Sequence, residues 1–357
     1  MKVLVTGVDG YIGAVLAPVL RERGHMVVGL DTGFYRDGLL FNGIEPSLMC
    51  ISKDIRDVTE EDLTGFEAVV HLAELSNDPL GQHSPEITYQ INHLGSVGLA
   101  KKCKSAGITR FVYSSSCSVY GVGSNGHKTE ESETNPQTAY AACKVLVERD
   151  LSAMADDDFS PTFLRNATAY GPSPRMRFDL VLNNLAGLAW TTKEIRMTSD
   201  GTPWRPLVHV RDICEAIACA LEAPREAVHN HIFNVGDTTH NYQVKEIAQI
   251  VSQTFPGCIL SFGCSDGDNR SYRVSFDKIR THLPGFQCQR DAATGAAELY
   301  SLFERIGMTR ETFEFRAFTR LKQLEYLLET RQLNDRFFWQ TEPQGMQNSA
   351  RYAPAQE

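Results

Sequence analysis

The sequence lacks any apolar run near the roughly 18 residues that a membrane-spanning helix needs; even the stretch ending at Leu30 falls far short. No membrane partner is expected. It also lacks a Cys-x-x-Cys pair, and its nine cysteines are an odd number. A disulfide framework and a thiolate zinc site therefore fit poorly, and free thiols in a reducing compartment fit well. Basic residues are too few for a polyanion: 35 against 44 acidic ones, a net charge of −9, oppose nucleic acid, whose grip comes from many Lys and Arg contacts to phosphate. The opening MKVLVTGVDG has no long apolar region or small-residue cleavage site, so it does not read as a secretory signal, and a cytoplasmic protein is expected. His229 and His231 are too isolated to suggest zinc, and His209 within VHV is expected to pack in the core. No metal is expected.

What is present is an ordinary globular composition over 357 residues, 42% apolar and 22% charged, enough for one large or two modest domains with a ligand cleft. Short apolar runs at Lys2 to Thr6, Met26 to Leu30, Ala68 to Leu72 and Phe111 to Ser114 alternate with helical patterns at Ile12 to Arg23 and Glu86 to Ala106. The two helical stretches stop at Gly24 and Gly107, and Pro18 implies a kink in the first. This rhythm predicts an α/β fold with a doubly wound parallel sheet over residues 1–171, to which 207–236 returns. Prolines at 172, 174, 203 and 206 break the chain into a smaller mixed α/β lobe, 172–206 and 237–290, followed by a helical extension and polar tail over 291–357.

VLVTGVDGYIG, from Val3 to Gly13, places Gly7, Gly10 and Gly13 between a strand and a helix. Small residues there let a backbone approach a pyrophosphate, and the helix start offers free N–H groups and partial positive charge. Asp31 ends the second run 18 residues after Gly13, where a carboxylate accepts both adenosine ribose hydroxyls and repels a 2′-phosphate. The expected cofactor is NAD rather than NADP.

Tyr140 and Lys144 lie four residues apart on a helical stretch, Thr138 to Asp150, and so share a face. Ser116 ends the fourth run, at the sheet edge where ligands of open α/β sheets sit. A tyrosine with a free pKa of about 10 must fall by about three units, or about 4 kcal/mol, to act as a base near neutrality. A cation about 4 Å away supplies about 1 kcal/mol in water and about 4 at an effective dielectric of 20. The pair works only in a partly dry cleft, where Tyr140 takes a hydroxyl proton, hydride leaves the same carbon and Ser116 holds the oxygen.

TGVDGYIG, Asp31, the run Asp54-Ile55-Arg56-Asp57, HLAELS, SSSCSVYG and YAACK together resemble the extended short-chain dehydrogenase/reductases, specifically the nucleotide-sugar epimerases and dehydratases typified by UDP-galactose 4-epimerase, over roughly residues 1 to 285. The resemblance implies that Gly7, Gly10, Tyr11, Ile12, Gly13, Asp31, Asp54, Ile55, Leu72, Ala73, Asn92, Tyr140 and Lys144 serve the cofactor. It implies Ser116, Tyr140 and Lys144 as catalysts, and Ser116, Cys117, Thr168, Asn184, Arg205, Asp268 and Tyr272 on the substrate side, with Asn184 and Arg205 gripping its diphosphate. A homodimer built on the Glu86 to Ala106 and Thr138 to Asp150 helices is also implied.

Departures from the family pattern narrow the chemistry. Sugar 4,6-dehydratases carry Asp-Glu directly after the catalytic hydroxyl residue, whereas this chain has Cys117 and Ser118, so elimination of water lacks its acid/base pair. Cys117 is expected to be a buried small residue rather than an acid/base thiol. Thr168 stands where relatives often have Asn, and Ser76 where the 4-epimerase has Lys. The leading expectation is epimerisation of a nucleoside-diphosphate sugar at C4 through a transient ketone. The alternatives are a 4-ketosugar reductase consuming NADH and a non-catalytic NAD-bound regulator or assembly protein.

Overall fold

The computed structural model describes residues 1–44, 48–76, 84–122, 126–264 and 271–340. Its centre is a parallel sheet built from β1 (Lys2–Thr6), β2 (Met26–Asp31), β3 (Cys50–Ser52), β4 (Ala68–His71), β5 (Arg110–Ser116), β7 (Ser160–Asn166) and β11 (His231–Val235), in the order β11-β7-β5-β4-β1-β2-β3. Every pairing in this sheet is parallel. Helices cover both faces, so the strands bury both sides and read as unbroken apolar runs.

Alternation along the strands divides the core in two. Val3, Val5, Ala68, Val70 and Val112 face α1 (Gly13–Glu22) and α6 (Val210–Glu222) through Leu16, Leu20, Ile213 and Ile217. Leu4, Val69, Phe111 and Tyr113 face Leu99, Cys103, Val147 and Leu151 of α3 (Ser96–Ser105) and α4 (Ala139–Ser152). The stretch expected as one helix from Glu86 is three joined pieces: α2 (Pro85–Thr88), a π-helical turn (Tyr89–Gly95) and α3. Pro18 lies inside α1, as its position in the sequence requires.

A second layer stands over the carboxyl end of the sheet. It contains β8 (Thr168–Tyr170), α5 (Val181–Thr191), β10 (Trp204–His209), β12 (Asn241–Gln243), α8 (Val244–Thr254) and α10 (Ala292–Arg305), with short pairs β6 (His127–Lys128) with β14 (Arg273–Val274) and β9 (Glu194–Arg196) with β13 (Ile259–Ser261). Leu182, Leu185, Ile247, Val251, Leu299 and Phe303 form its core. The short helices α7 (Arg225–Val228), α9 (Asp277–His282) and α11 (Arg310–Glu314) fill connections.

The last helix, α12 (Arg320–Glu329), returns to the first layer. Leu324, Leu327, Leu333 and Phe337 join the core cluster that holds Phe34 and Ile55. Gln323 Nε2 donates to the Phe34 carbonyl at 3.0 Å and Trp339 Nε1 to that of Thr32 at 2.8 Å. The segment after β2 is thereby tied down by residues from the opposite end of the chain. No helix of the described residues is long and apolar enough to cross a membrane.

Candidate active site

Gly7 adopts φ +74°, and a Cβ on it would lie 2.8 Å from the Ala73 nitrogen. A left-handed backbone pressed against another backbone admits only glycine. A Cβ on Gly13 would lie 2.6 Å from Val8 Cα, so the turn also packs directly on the first helical residue. Asp31 accepts the N–H groups of Asp9 at 3.0 Å and Gly33 at 2.7 Å. Burial, then the neighbouring Asp9 carboxylate, push its acid up to about 6 against the pull of those two N–H groups.

These groups line one cavity of about 570 Å³. Gly7, Gly10, Tyr11, Ile12, Gly13, Asp31, Asp54, Ile55, Leu72 and Ala73 border it on one side. Ser116, Tyr140, Lys144, Thr168, Asn184, Arg205 and Tyr272 border it as well. A bare glycine cradle, a helix start and a ribose-ready carboxylate together fit a dinucleotide.

Thr138 caps α4, its Oγ1 accepting the Ala141 N–H at 3.2 Å, and this starts the helix two residues before Tyr140. Lys144, one turn on, is 4% exposed. Its Nζ stands 5.4 Å from the Tyr140 ring centroid and 4.6 Å from that of Tyr113. It donates to the Ser114 carbonyl and pairs with Glu74 Oε2 at 2.6 Å. Burial opposes the charge on Lys144, but Glu74 and Tyr140 outweigh it and hold the ammonium above its usual range. Glu74 itself is pushed up by burial, with Lys144 and the Tyr113 hydroxyl, 2.6 Å away, working the other way.

Ser116 Oγ accepts the Ser118 N–H at 3.1 Å, which leaves the Ser116 proton to donate into the cavity. Beneath it, Arg165 and Glu148 pair at 2.7 Å, and Ser115 Oγ donates to Glu148 at 2.5 Å. This buried network fixes the end of β5.

Two expected site residues stand elsewhere. Cys117 is 1% exposed within the core and its thiol donates to the Arg165 carbonyl at 3.1 Å. It follows a strand end whose alternation turns it inward, so it does not line the cavity. Asn92 does not line it either: its amide clasps the Leu75 backbone, accepting from N at 2.8 Å and donating to O at 3.0 Å. Asn92 thereby shapes the loop beyond β4, whose Glu74, Leu75 and Ser76 border the cavity. Tyr11 borders the cavity, and its buried hydroxyl donates to the Gly171 carbonyl at 2.7 Å. Asp268 lies outside the described residues.

The cavity also contains Ser118 and groups that the sequence reading assigns no role: Tyr35, Glu74, Asn166, Arg177 and Arg320. Ser118 Oγ and Asn166 Oδ1 are buried without a hydrogen-bond partner among the described residues. Glu74 alone carries a sequence signal, a carboxylate inside the otherwise apolar-to-polar strand end HLAELS.

The NAD dependent epimerase/dehydratase family matches residues 3–236. The chain belongs to this family. It is 32% identical over 265 residues to the UDP-glucose 4-epimerase of Corynebacterium glutamicum, covering 70% of this chain and 79% of that one. It is 31% identical over 329 residues to the UDP-glucose 4-epimerase of Mycolicibacterium smegmatis, covering 85% and 98%. Among solved structures, MoeE5 in complex with UDP-glucuronic acid and NAD superimposes with a TM-score of 0.74 at 28% identity, covering 85% of this chain and 99% of that one. The fold is also that of DesIV, a dTDP-glucose 4,6-dehydratase from Streptomyces venezuelae, with a TM-score of 0.76, 24% identity and coverage of 87% and 100%. The family member described here is thus an NAD-dependent enzyme of the short-chain dehydrogenase/reductase type.

Proposed function

We propose that this enzyme epimerises a nucleoside-diphosphate sugar at C4. The observation that carries the reading is the placement of the Lys144 ammonium 5.4 Å from the Tyr140 ring on the wall of the cavity that also holds the dinucleotide turn. NAD, when bound, supplies a reversible hydride acceptor. Tyr140 Oη, as phenolate, takes the sugar hydroxyl proton while the C–H electron pair leaves and the carbonyl forms. Ser116 donates to the developing ketone oxygen; once the sugar has presented its other face, the hydride held by the cofactor would re-form the C–H bond while Tyr140 returns the proton to oxygen. Asn184, Arg205 and Tyr272 line the same cavity, which supports assigning them to the substrate's nucleoside diphosphate; a guanidinium fork suits phosphate oxygens.

Dehydration is disfavoured because the acid/base pair that would follow Ser116 is absent: Cys117 is in the core and Ser118 is a hydroxyl. Names of relatives support C4, since both curated enzymes cited are UDP-glucose 4-epimerases. The deciding experiment incubates purified enzyme with UDP-, GDP- and dTDP-sugars and follows products by NMR alongside nicotinamide absorbance. Interconversion of 4-epimers without net cofactor change is expected; stoichiometric NADH consumption with a 4-ketosugar makes the enzyme a reductase instead. A homodimer is proposed through the region of Tyr89 and Leu94, 36% and 53% exposed, and sedimentation at micromolar concentration tests it.

A further inference from the structure

The C-terminal helix brings a buried cation to the cavity. Arg320, the first residue of α12, is 2% exposed and lines the same cavity as Asp31, Tyr35, Arg177 and Asp179. Arg177 is neutralised by Asp179 through two hydrogen bonds, 3.0 and 2.9 Å. Arg320 is not: among the described residues it has no carboxylate partner, and its guanidinium carbon stands 3.9 Å from the Tyr35 ring centroid. The Tyr35 hydroxyl is likewise buried with no hydrogen-bond partner. Burial and the like charge of Arg177 push the Arg320 guanidinium down to about 10.

A buried guanidinium without an anion costs several kcal/mol. Asp31 and Asp179 favour its charge through space, but neither contacts it; the Asp31 oxygens accept the Asp9 and Gly33 N–H groups and keep room for further donors. The missing anion must arrive with a ligand. Tyr35 and Asp31 both belong to the stretch leaving β2, on the adenosine side of the cavity, while Asn184, Arg205 and Tyr272 come from the second layer and β14's approach. The position therefore selects the cofactor's diphosphate over that of the sugar nucleotide.

We infer that α12 completes the dinucleotide site, with Arg320 holding a phosphate of bound NAD and the Tyr35 hydroxyl serving as a second donor. Arg316 pairs with Asp37 at 2.8 Å, and Gln323 and Trp339 hold the Phe34 and Thr32 carbonyls, so the guanidinium and the loop that faces it are fastened together. The inference depends on NAD as cofactor and is independent of which sugar is epimerised.

The test strips nucleotide from the full-length enzyme and measures NAD, ADP-ribose, adenosine and UDP by calorimetry or equilibrium dialysis. Arg320→Met is expected to weaken NAD and ADP-ribose on the order of 10- to 100-fold, as for a lost charge-assisted hydrogen bond, with adenosine and UDP within about twofold. Arg320→Lys recovers part of the loss, and Tyr35→Phe weakens NAD about 3- to 10-fold. Unchanged NAD affinity overturns the inference. So does weakening of UDP alone, which assigns the cation to the substrate, or equal weakening of adenosine, which makes α12 merely a wall. Should Arg320→Met fail to fold, the lysine and Tyr35→Phe variants decide: an unaltered NAD affinity in Tyr35→Phe together with full loss in Arg320→Lys counts against it.

Discussion

The ammonium of Lys144 is shared: Glu74 holds it at 2.6 Å while the Tyr140 ring lies 5.4 Å away. A buried carboxylate so placed offsets part of the positive field that acidifies the phenol, so Glu74 tunes Tyr140 toward a higher pH of action. Glu74→Gln keeps an oxygen for Lys144 and removes the negative charge. The acid limb of the kcat–pH profile is expected to move about one unit lower; an unmoved limb shows that Glu74 does not reach the phenol. Glu74→Ala, which leaves a buried ammonium without its ion partner, is expected to lower stability by about 3 kcal/mol in denaturant titrations.

Asp31 gives the cofactor affinity its own pH dependence. Its acid stands at about 6 in the free protein, above the ordinary value of about 3.9. In the empty protein this raised value favours the protonated fold, so its share of stability is full below the ordinary value and is lost as pH rises through about 6. Ribose hydroxyls prefer the carboxylate, so NAD affinity is expected to climb by up to about tenfold per pH unit from about 4 towards 6 and then level off. Calorimetry across that range checks it, and Asp31→Asn should abolish the slope.

Tyr140→Phe separates chemistry from binding. Turnover is expected to fall about 10²- to 10⁴-fold, while NAD and UDP still bind, since no backbone in the glycine turn is disturbed. Retained turnover in this variant removes Tyr140 from the proton path.

Cys117→Ala is expected to leave kcat within about twofold and to cost about 1 kcal/mol of stability, because the thiol fills core space and donates to a carbonyl. A large kcat loss at unchanged stability would restore it to the chemistry.

Gly7→Ala sets a Cβ on a residue at φ +74° and 2.8 Å from Ala73 N. A loss of about 1 to 3 kcal/mol and failure to retain NAD through purification are expected, checked by thermal melts and released nucleotide.

Much of the first layer was legible because β1, β2, β4 and β5 are buried on both faces and therefore written as apolar runs. β3 escaped because three residues carry no periodicity, and β7 because Pro161 and the buried Arg165 disguise it; Arg165 is tolerated there through its pair with Glu148 and its bond to the Tyr120 hydroxyl. The glycine turn, Asp31 and the Tyr140–Lys144 spacing are local patterns and show in the sequence. The contacts of Asn92 with Leu75, and of Arg320 with Tyr35, span 17 and 285 positions, and no local pattern announces them. The inward turn of Cys117 likewise depends on where β5 ends.

The bond from Trp339 to the Thr32 carbonyl spans 307 positions, which gives this enzyme an order of assembly. All seven strands of the sheet can emerge from the ribosome and pair while the turn after β2 still lacks its fastening. If α12 completes the dinucleotide site, cofactor capture follows strand pairing, and a chain interrupted between β11, which ends at Val235, and α12, which begins at Arg320, is expected to be sheet-complete yet nucleotide-poor.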